Sequence, residues 1–249
     1  MCFDLDSVPP IPVIAGASVS HERLTLQADD GNSFAAFAAE PEERARVGIA
    51  ILPDVRGLYH FYEELALRLA ERGYAAVALD YFGRTAGAEP RDDDFEYPPH
   101  VEQTTDVGVQ ADTGAAVAEL RRRGAEAVFT LGFCFGGRAS WIAAASGHDL
   151  AGAVGFYGSP TRERGGPSAV ALVDRMTCPV LALQAGADAN ITADDNRAFD
   201  KALSSAGLEH EVVVFDGAPH SFFDRKQEEF ADASADAWQR LLDFVEQHA

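Results

Sequence analysis

Short apolar runs of strand length alternate with longer amphipathic stretches of helix length along most of the chain. Residues 23–27 and 33–38 are strand-like and are separated by Asp29-Asp30-Gly31-Asn32, turn chemistry that predicts an antiparallel hairpin. The rhythm then changes. Residues 47–52 are continuously apolar, as expected of a strand covered on both faces. The next stretch places Phe61, Tyr62, Leu65, Ala66 and Leu69 on one helical face and stops at Gly73. Further strands are expected at 75–79, 127–131, 152–157, 180–184 and 211–215, and helices at 105–123, 136–146 and 192–206. A last helix carries Trp238, Leu241, Leu242 and Val245 at core-facing spacing. Strands alternating with helices predict a mostly parallel, doubly wound α/β sheet with helices on both faces. No linker divides the chain, so residues 1–249 are expected to form one domain, with 1–22 as an N-terminal extension and 81–103, polar and acidic, as a surface excursion near the site.

Composition narrows the partners. The net charge of −20 repels nucleic-acid backbones and anionic membranes, so neither is an expected partner. Cationic residues are 18 Arg and 2 Lys, a bias of composition that carries no function by itself. Three cysteines (Cys2, Cys134 and Cys178) are too few and odd in number for a disulfide framework. They lack C-x-x-C spacing and H-E-x-x-H does not occur, so neither a metal nor a cofactor is expected. With no basic leader and no apolar run of spanning length, the chain reads as cytoplasmic.

In parallel sheets ligands sit beyond the carboxyl ends of the strands, so the informative residues are those that directly follow strands. After the strand ending at Leu131 comes Gly132-Phe133-Cys134-Phe135-Gly136-Gly137 and then a helix. This is G-x-C-x-G in a strand–turn–helix setting, a nucleophile elbow with cysteine in place of serine. Such a turn sets the thiol at a helix N-terminus, which favours an anion and lowers a thiol pKa from about 8.5. Taken alone, the pentapeptide is equally compatible with a structural cysteine in a tight turn. Asp188 follows strand 180–184, and His220 follows strand 211–215. The order Cys134, Asp188, His220 is the nucleophile–acid–histidine order of α/β-hydrolases. Asp194 and Asp195 are rival acids but fall inside the following helix. His21, His60, His100, His148, His210 and His248 are expected at the surface, and Cys178, before Pro179, is expected to be structural. An oxyanion hole needs two backbone N–H groups. Phe135 supplies one; in Pro53-Asp54-Val55-Arg56-Gly57 proline has no N–H, and Val55 is the expected second donor.

With these residues the chain resembles the dienelactone hydrolase family from about Leu24 to its C-terminus. The resemblance rests on residues 132–137, on Gly73-Tyr74-Ala75-Ala76-Val77-Ala78-Leu79-Asp80, and on the segments around Asp188 and His220. It implies an α/β-hydrolase fold and a Cys-His-Asp triad. The activity it implies is opening of the lactone ring of chlorocatechol-type products in aromatic-compound catabolism. It further implies an acid that modulates the resting thiol, at Asp54, where the family has a glutamate one methylene longer. Arg84 matches a family arginine that binds the substrate carboxylate. At the second arginine's position stands Asp224, with Arg225 one residue later. The substrate is therefore expected to be a small ester or lactone, often carboxylate-bearing. A carboxylesterase or thioesterase of other specificity, and a non-catalytic binding protein on the same fold, remain open as alternatives.

Overall fold

The computed structural model describes residues 3–92 and 94–249; Met1, Cys2 and Asp93 lie outside the described residues. Eight strands form one sheet: β1 (Val19–Gln27), β2 (Ser33–Pro41), β3 (Val47–Leu52), β4 (Ala75–Leu79), β5 (Ala127–Phe133), β6 (Gly152–Phe156), β7 (Val180–Ala185) and β8 (His210–Phe215). Their order in space is β1-β2-β4-β3-β5-β6-β7-β8. The β1–β2 and β2–β4 pairs are antiparallel and all others parallel. The expected hairpin is therefore present, and β1 starts earlier than the pattern suggested, inside the N-terminal extension.

Among the described residues seven α-helices accompany the sheet: α1 (His60–Ala70), α2 (Gly83–Ala86), α3 (Pro98–Gln103), α4 (Asp106–Arg123), α5 (Phe135–Ala143), α6 (Ala193–Ser205) and α7 (Ala231–His248). Strand side chains alternate between the two faces. Ala50, Leu52, Val128 and Ala182 face a core formed with Val117 and Leu120 of α4, Trp141 of α5, and Phe199 and Leu203 of α6. Ile49, Ile51, Phe129, Leu131, Leu181 and Leu183 face the other way, onto Phe61, Leu65 and Leu69 of α1 and Trp238, Leu241 and Val245 of α7. Both faces are thus covered, which is why the central strands are almost continuously apolar; Thr130 on β5 and Gln184 on β7 are the buried polar exceptions, bonded to Ser140 and to Asn196.

Two helix starts lie one residue later than the periodicity suggested, because a side-chain cap takes the first place. Thr105 accepts from the Gly108 N–H at 3.1 Å, and Thr192 forms a capping box with Asp195. Among the histidines assigned to the surface, His100 is half-buried against Phe95, and His148 is half-buried beside Gln110. Burial, helped by the Arg121 charge, lowers the pKa of His148.

The segment 81–103 is not wholly a surface excursion. Tyr81 and Phe82 are buried, and Arg91 reaches the fully buried Asp80 at 2.9 Å. Asp80 also accepts from the N–H groups of Leu58 and Phe82. A second buried carboxylate, Asp112 on α4, accepts from Asn32 at 2.9 Å and from Arg84 at 2.8 Å. Arg84 also donates to Asp30 at 2.5 Å and to the Gly108 carbonyl. One guanidinium thereby ties the β1–β2 turn, α2 and α4 together, and burial still pushes Asp112 up to about 6. Arg84→Ala leaves Asp112 buried with a donor missing. We expect a loss of about 1–3 kcal/mol, read as a Tm lower by several degrees in thermal unfolding, with no change in the ratio of activities toward anionic and neutral substrates.

Candidate active site

The turn from β5 into α5 leaves no room for side chains on its glycines. A Cβ on Gly132 would lie 1.9 Å from the Gly136 carbonyl oxygen, and one on Gly136 would lie 2.0 Å from the Leu52 carbonyl oxygen. Cys134 between them has φ 56° and ψ −110°, in the left-handed half of backbone space that a cysteine rarely adopts. Its N–H is held by the Phe156 carbonyl at 3.0 Å, on the neighbouring strand β6. Tyr157 and Ser221 also have positive φ, so three of the four such non-glycine positions among the described residues gather around one place; the fourth, Asp149, is an exposed loop residue elsewhere.

That place is a cavity of about 610 Å³, lined by Cys134, His220, Val55, Phe135, Tyr157 and Ile191 among others. Its volume suits a small organic ligand. His220 follows β8, and its Nδ1 lies 2.5 Å from Asp188 Oδ2. Asp188 follows β7, and its side chain is fully buried. Burial pushes the Asp188 carboxyl up. The bond to His220 and the N–H groups of Asn190 (2.8 Å) and Ile191 (3.2 Å) outweigh it and hold the pKa below the ordinary value. The rival acids are engaged elsewhere: Asp195 in the α6 capping box and with Thr161, Asp194 with Arg197. Cys178 is buried, which pushes its thiol up to about 12.

Val55 and Phe135 line the same cavity as Cys134, with Phe135 at the first position of α5. Asp54 is fully buried and does not reach the cavity surface. Its carboxylate accepts from the Arg56 N–H at 2.8 Å and the Tyr59 hydroxyl at 3.4 Å, and its own N–H donates to Tyr62 Oη at 2.8 Å. Burial raises its pKa to about 6. Tyr81, whose hydroxyl donates to the Pro53 carbonyl, is pushed well above its ordinary pKa by burial and then by the neighbouring charges of Asp54, Asp80 and Cys134.

The two arginines taken from the family pattern are not in the cavity wall. Arg84 is bound to Asp30 and Asp112, and Arg225 donates to the Pro9 and Ile11 carbonyls. Each has local partners that the residue pattern did not show. The arginines that do line the cavity are Arg138, Arg162 and Arg164. Arg138, buried on α5, forms a two-pronged bond to Asp106 (2.6 and 2.8 Å) and holds the Arg162 carbonyl at 2.9 Å. It thereby pins the loop after β6. Arg164 donates to the Val101 carbonyl and lies 4.7 Å from the Phe135 ring centre. Neither Arg162 nor Arg164 makes an ion pair among the described residues. The placement that singles out Asp188 and His220 in the sequence, just past a strand end, is shared by Arg162-Glu163-Arg164 after β6. Among the described residues no group of three side chains could hold a metal ion, and no helix is long and apolar enough to cross a membrane.

An eight-stranded sheet in this order, with a strand–turn–helix elbow at its carboxyl edge, defines an α/β-hydrolase. Residues 34–249 match the sequence model of the dienelactone hydrolase family. The chain belongs to that family, and it is a hydrolase acting on ester bonds, lactones included. It is 28% identical over 264 residues to the carboxymethylenebutenolidase of Rhodococcus opacus, an alignment that spans 100% of this chain and 97% of that one. A solved structure from Klebsiella pneumoniae, provisionally described as a dienelactone hydrolase, superposes with a TM-score of 0.80 at 25% identity over 92% of this chain and 99% of that one. An acylaminoacyl peptidase of Pyrococcus horikoshii shares the fold alone, with a TM-score of 0.73 at 15% identity over 93% of this chain and 42% of that one.

The raised pKa of Asp54 has a signed consequence for stability. The folded protein keeps a proton on Asp54 up to about pH 6, whereas an unfolded aspartate releases it near pH 4, so this group's contribution to stability falls as pH rises between those values. Asp54→Asn removes that dependence. Urea unfolding should show the variant gaining on the parent from pH 4 to pH 7, with the difference levelling off above pH 7.

Proposed function

We propose that Cys134 is the nucleophile, His220 the general base and acid, and Asp188 the residue that orients His220, in the hydrolysis of a small lactone or ester. The observation that carries this reading is the position of Cys134 on the elbow, in the same cavity wall as a histidine held by a buried carboxylate. With Nδ1 committed to Asp188, Nε2 is the nitrogen that takes the thiol proton. The thiolate attacks the carbonyl carbon, and the resulting oxyanion is met by the N–H groups of Val55 and Phe135. As the tetrahedral adduct collapses, the C–O bond breaks and the imidazolium returns its proton to the leaving oxygen. In a lactone that oxygen stays tethered to the acyl group. His220 then takes a proton from water, which attacks the thioester; the product carboxylic acid leaves and the thiol is restored. Asp54 acts at one remove, through the loop that bears Val55.

The preferred substrate carries a carboxylate, and its anchor is Arg162 with Arg164 in place of Arg84 and Arg225. Burial, and then the positive charge of Arg162 and Arg138, lowers the pKa of Arg164, so an anion bound here relieves an unfavourable cluster. Glu102 stands on the same wall and repels an anion that strays from the arginines. The chain's net charge of −20 repels anions at a distance, so recognition has to be a short-range paired contact.

Cys134→Ala should lower kcat/KM by about 10⁴-fold or more while preserving the thermal transition; activity within tenfold of the parent would overturn the assignment. Arg162→Ala and Arg164→Ala should each lower kcat/KM for a carboxylate-bearing dienelactone by about 10- to 100-fold, the worth of one charge-assisted hydrogen bond. Hydrolysis of neutral phenyl acetate should be nearly untouched. Equal losses on both substrates would remove the anionic anchor and favour a carboxylesterase of broader specificity.

A further inference from the structure

The family match begins at residue 34, yet the chain ahead of it reaches the neighbourhood of the site. Phe3 is 2% exposed. Its ring stacks on Phe61 with centres 3.8 Å apart, and Tyr62, Phe133 and Tyr157 lie 6.4, 6.1 and 6.3 Å away. Two of these rings touch residues at or beside the site. Tyr62 accepts the Asp54 N–H, next to Val55. Tyr157 lines the cavity and packs on His220 with ring centres 4.9 Å apart. The Phe3 N–H itself bonds to the Asp54 carboxylate.

The same segment is fastened at its other end to the loop that follows His220. The Ser7 hydroxyl donates to Asp224 Oδ2 at 2.6 Å, with both residues buried. The Arg225 N–H donates to the Val8 carbonyl at 3.1 Å, and its guanidinium donates to the Pro9 and Ile11 carbonyls at 3.3 Å each. Ile11 closes the attachment at 1% exposure. Asp224 and Arg225 are the positions at which the chain departs from the family's second arginine. Their side chains here hold the N-terminal segment.

We propose that residues 3–11 are a positioning strap that sets the His220 loop against the Asp54–Val55 loop, with Phe3 its wedge and Asp224 and Arg225 its anchor. The strap touches no substrate. It acts through Tyr62 on one side and Tyr157 on the other, and a close-packed interior passes a displacement of Phe3 to both. Misplacing reacting groups by about 1 Å costs on the order of 100-fold in rate. The inference rests on the reading of His220 as base. That reading falls if Cys134→Ala stays active; this one can fail while Cys134→Ala is dead.

The test uses full-length Phe3→Ala, Phe3→Leu and Ser7→Ala, with kcat, KM and the pH profile of kcat measured on phenyl acetate alongside Tm. Phe3→Ala should lower kcat about 10- to 100-fold with KM nearly constant, and should shift the pH profile. Phe3→Leu, which refills most of the volume, should recover most of kcat. Ser7→Ala leaves the aromatic cluster intact and loosens only the anchor. It should lower kcat by about threefold or more, and it decides the matter alone if Phe3→Ala does not fold. A parent-like kcat and pH profile in Ser7→Ala, or in folded Phe3→Ala, with only Tm lowered, overturns the proposal.

Discussion

The backbone approach at the end of β5 is the constraint from which the rest of the site follows. Gly132 and Gly136 sit so close to neighbouring carbonyls that a methyl group at either would overlap backbone. At Gly132 the opposing backbone is the first turn of α5 itself, and at Gly136 it is the end of β3. The end of β3 can give way only by separating strands, and β3, β5 and β6 are paired over most of their length in the centre of the sheet. The elbow is therefore held from both sides. Cys134 is kept in a conformation its own side chain disfavours, facing the cavity at the start of a helix. Val55 reaches the same cavity because β3 is the strand beside the elbow, and Tyr157 because β6 lies on the other side.

Around that point an acidic chain has to bury several carboxylates, and each is handled differently. Asp188 has His220 and two N–H groups, enough to keep it charged in spite of burial. Asp80 has a buried arginine and two N–H groups, yet burial still prevails and raises its pKa. Asp112 and Asp54 both rise to about 6, the first despite Arg84 and the second with one N–H, a distant hydroxyl and the Phe3 N–H against full desolvation. Desolvation scales with burial, whereas the offset depends on how many donors can be aimed at one carboxylate. Among these four, only Asp188 is held by a cavity-lining histidine.

The arginines show the same economy of placement. Arg84 and Arg225 are absorbed by carboxylates and carbonyls around them, while Arg162 and Arg164 are left at the cavity by a loop that Arg138 and Asp106 hold down. In the proposed reading, the family's way of binding an anion is kept in kind while the residues that do it have changed. The loop after His220 is meanwhile given over to the N-terminal strap.

The sequence alone determined the fold class, the hairpin, the helices on both faces and the order of Cys134, Asp188 and His220. These are legible because apolar periodicity is local, because glycines at an elbow leave a short signature, and because strand ends in a parallel sheet mark where ligands go. It also placed Asp194 and Asp195 in the first turn of a helix, where they are found, since a helix start is written in a few adjacent residues. Only the tertiary structure decided what Arg84, Arg225, Arg91 and Phe3 contact. An arginine's role depends on which carboxylate lies within about 3 Å of it, and Asp112 is 28 residues from Arg84 while the carbonyls of Pro9 and Ile11 are more than 200 from Arg225. No local pattern carries such pairings. They exist because the folded chain brings distant segments together and removes the water that would otherwise have satisfied each charge alone.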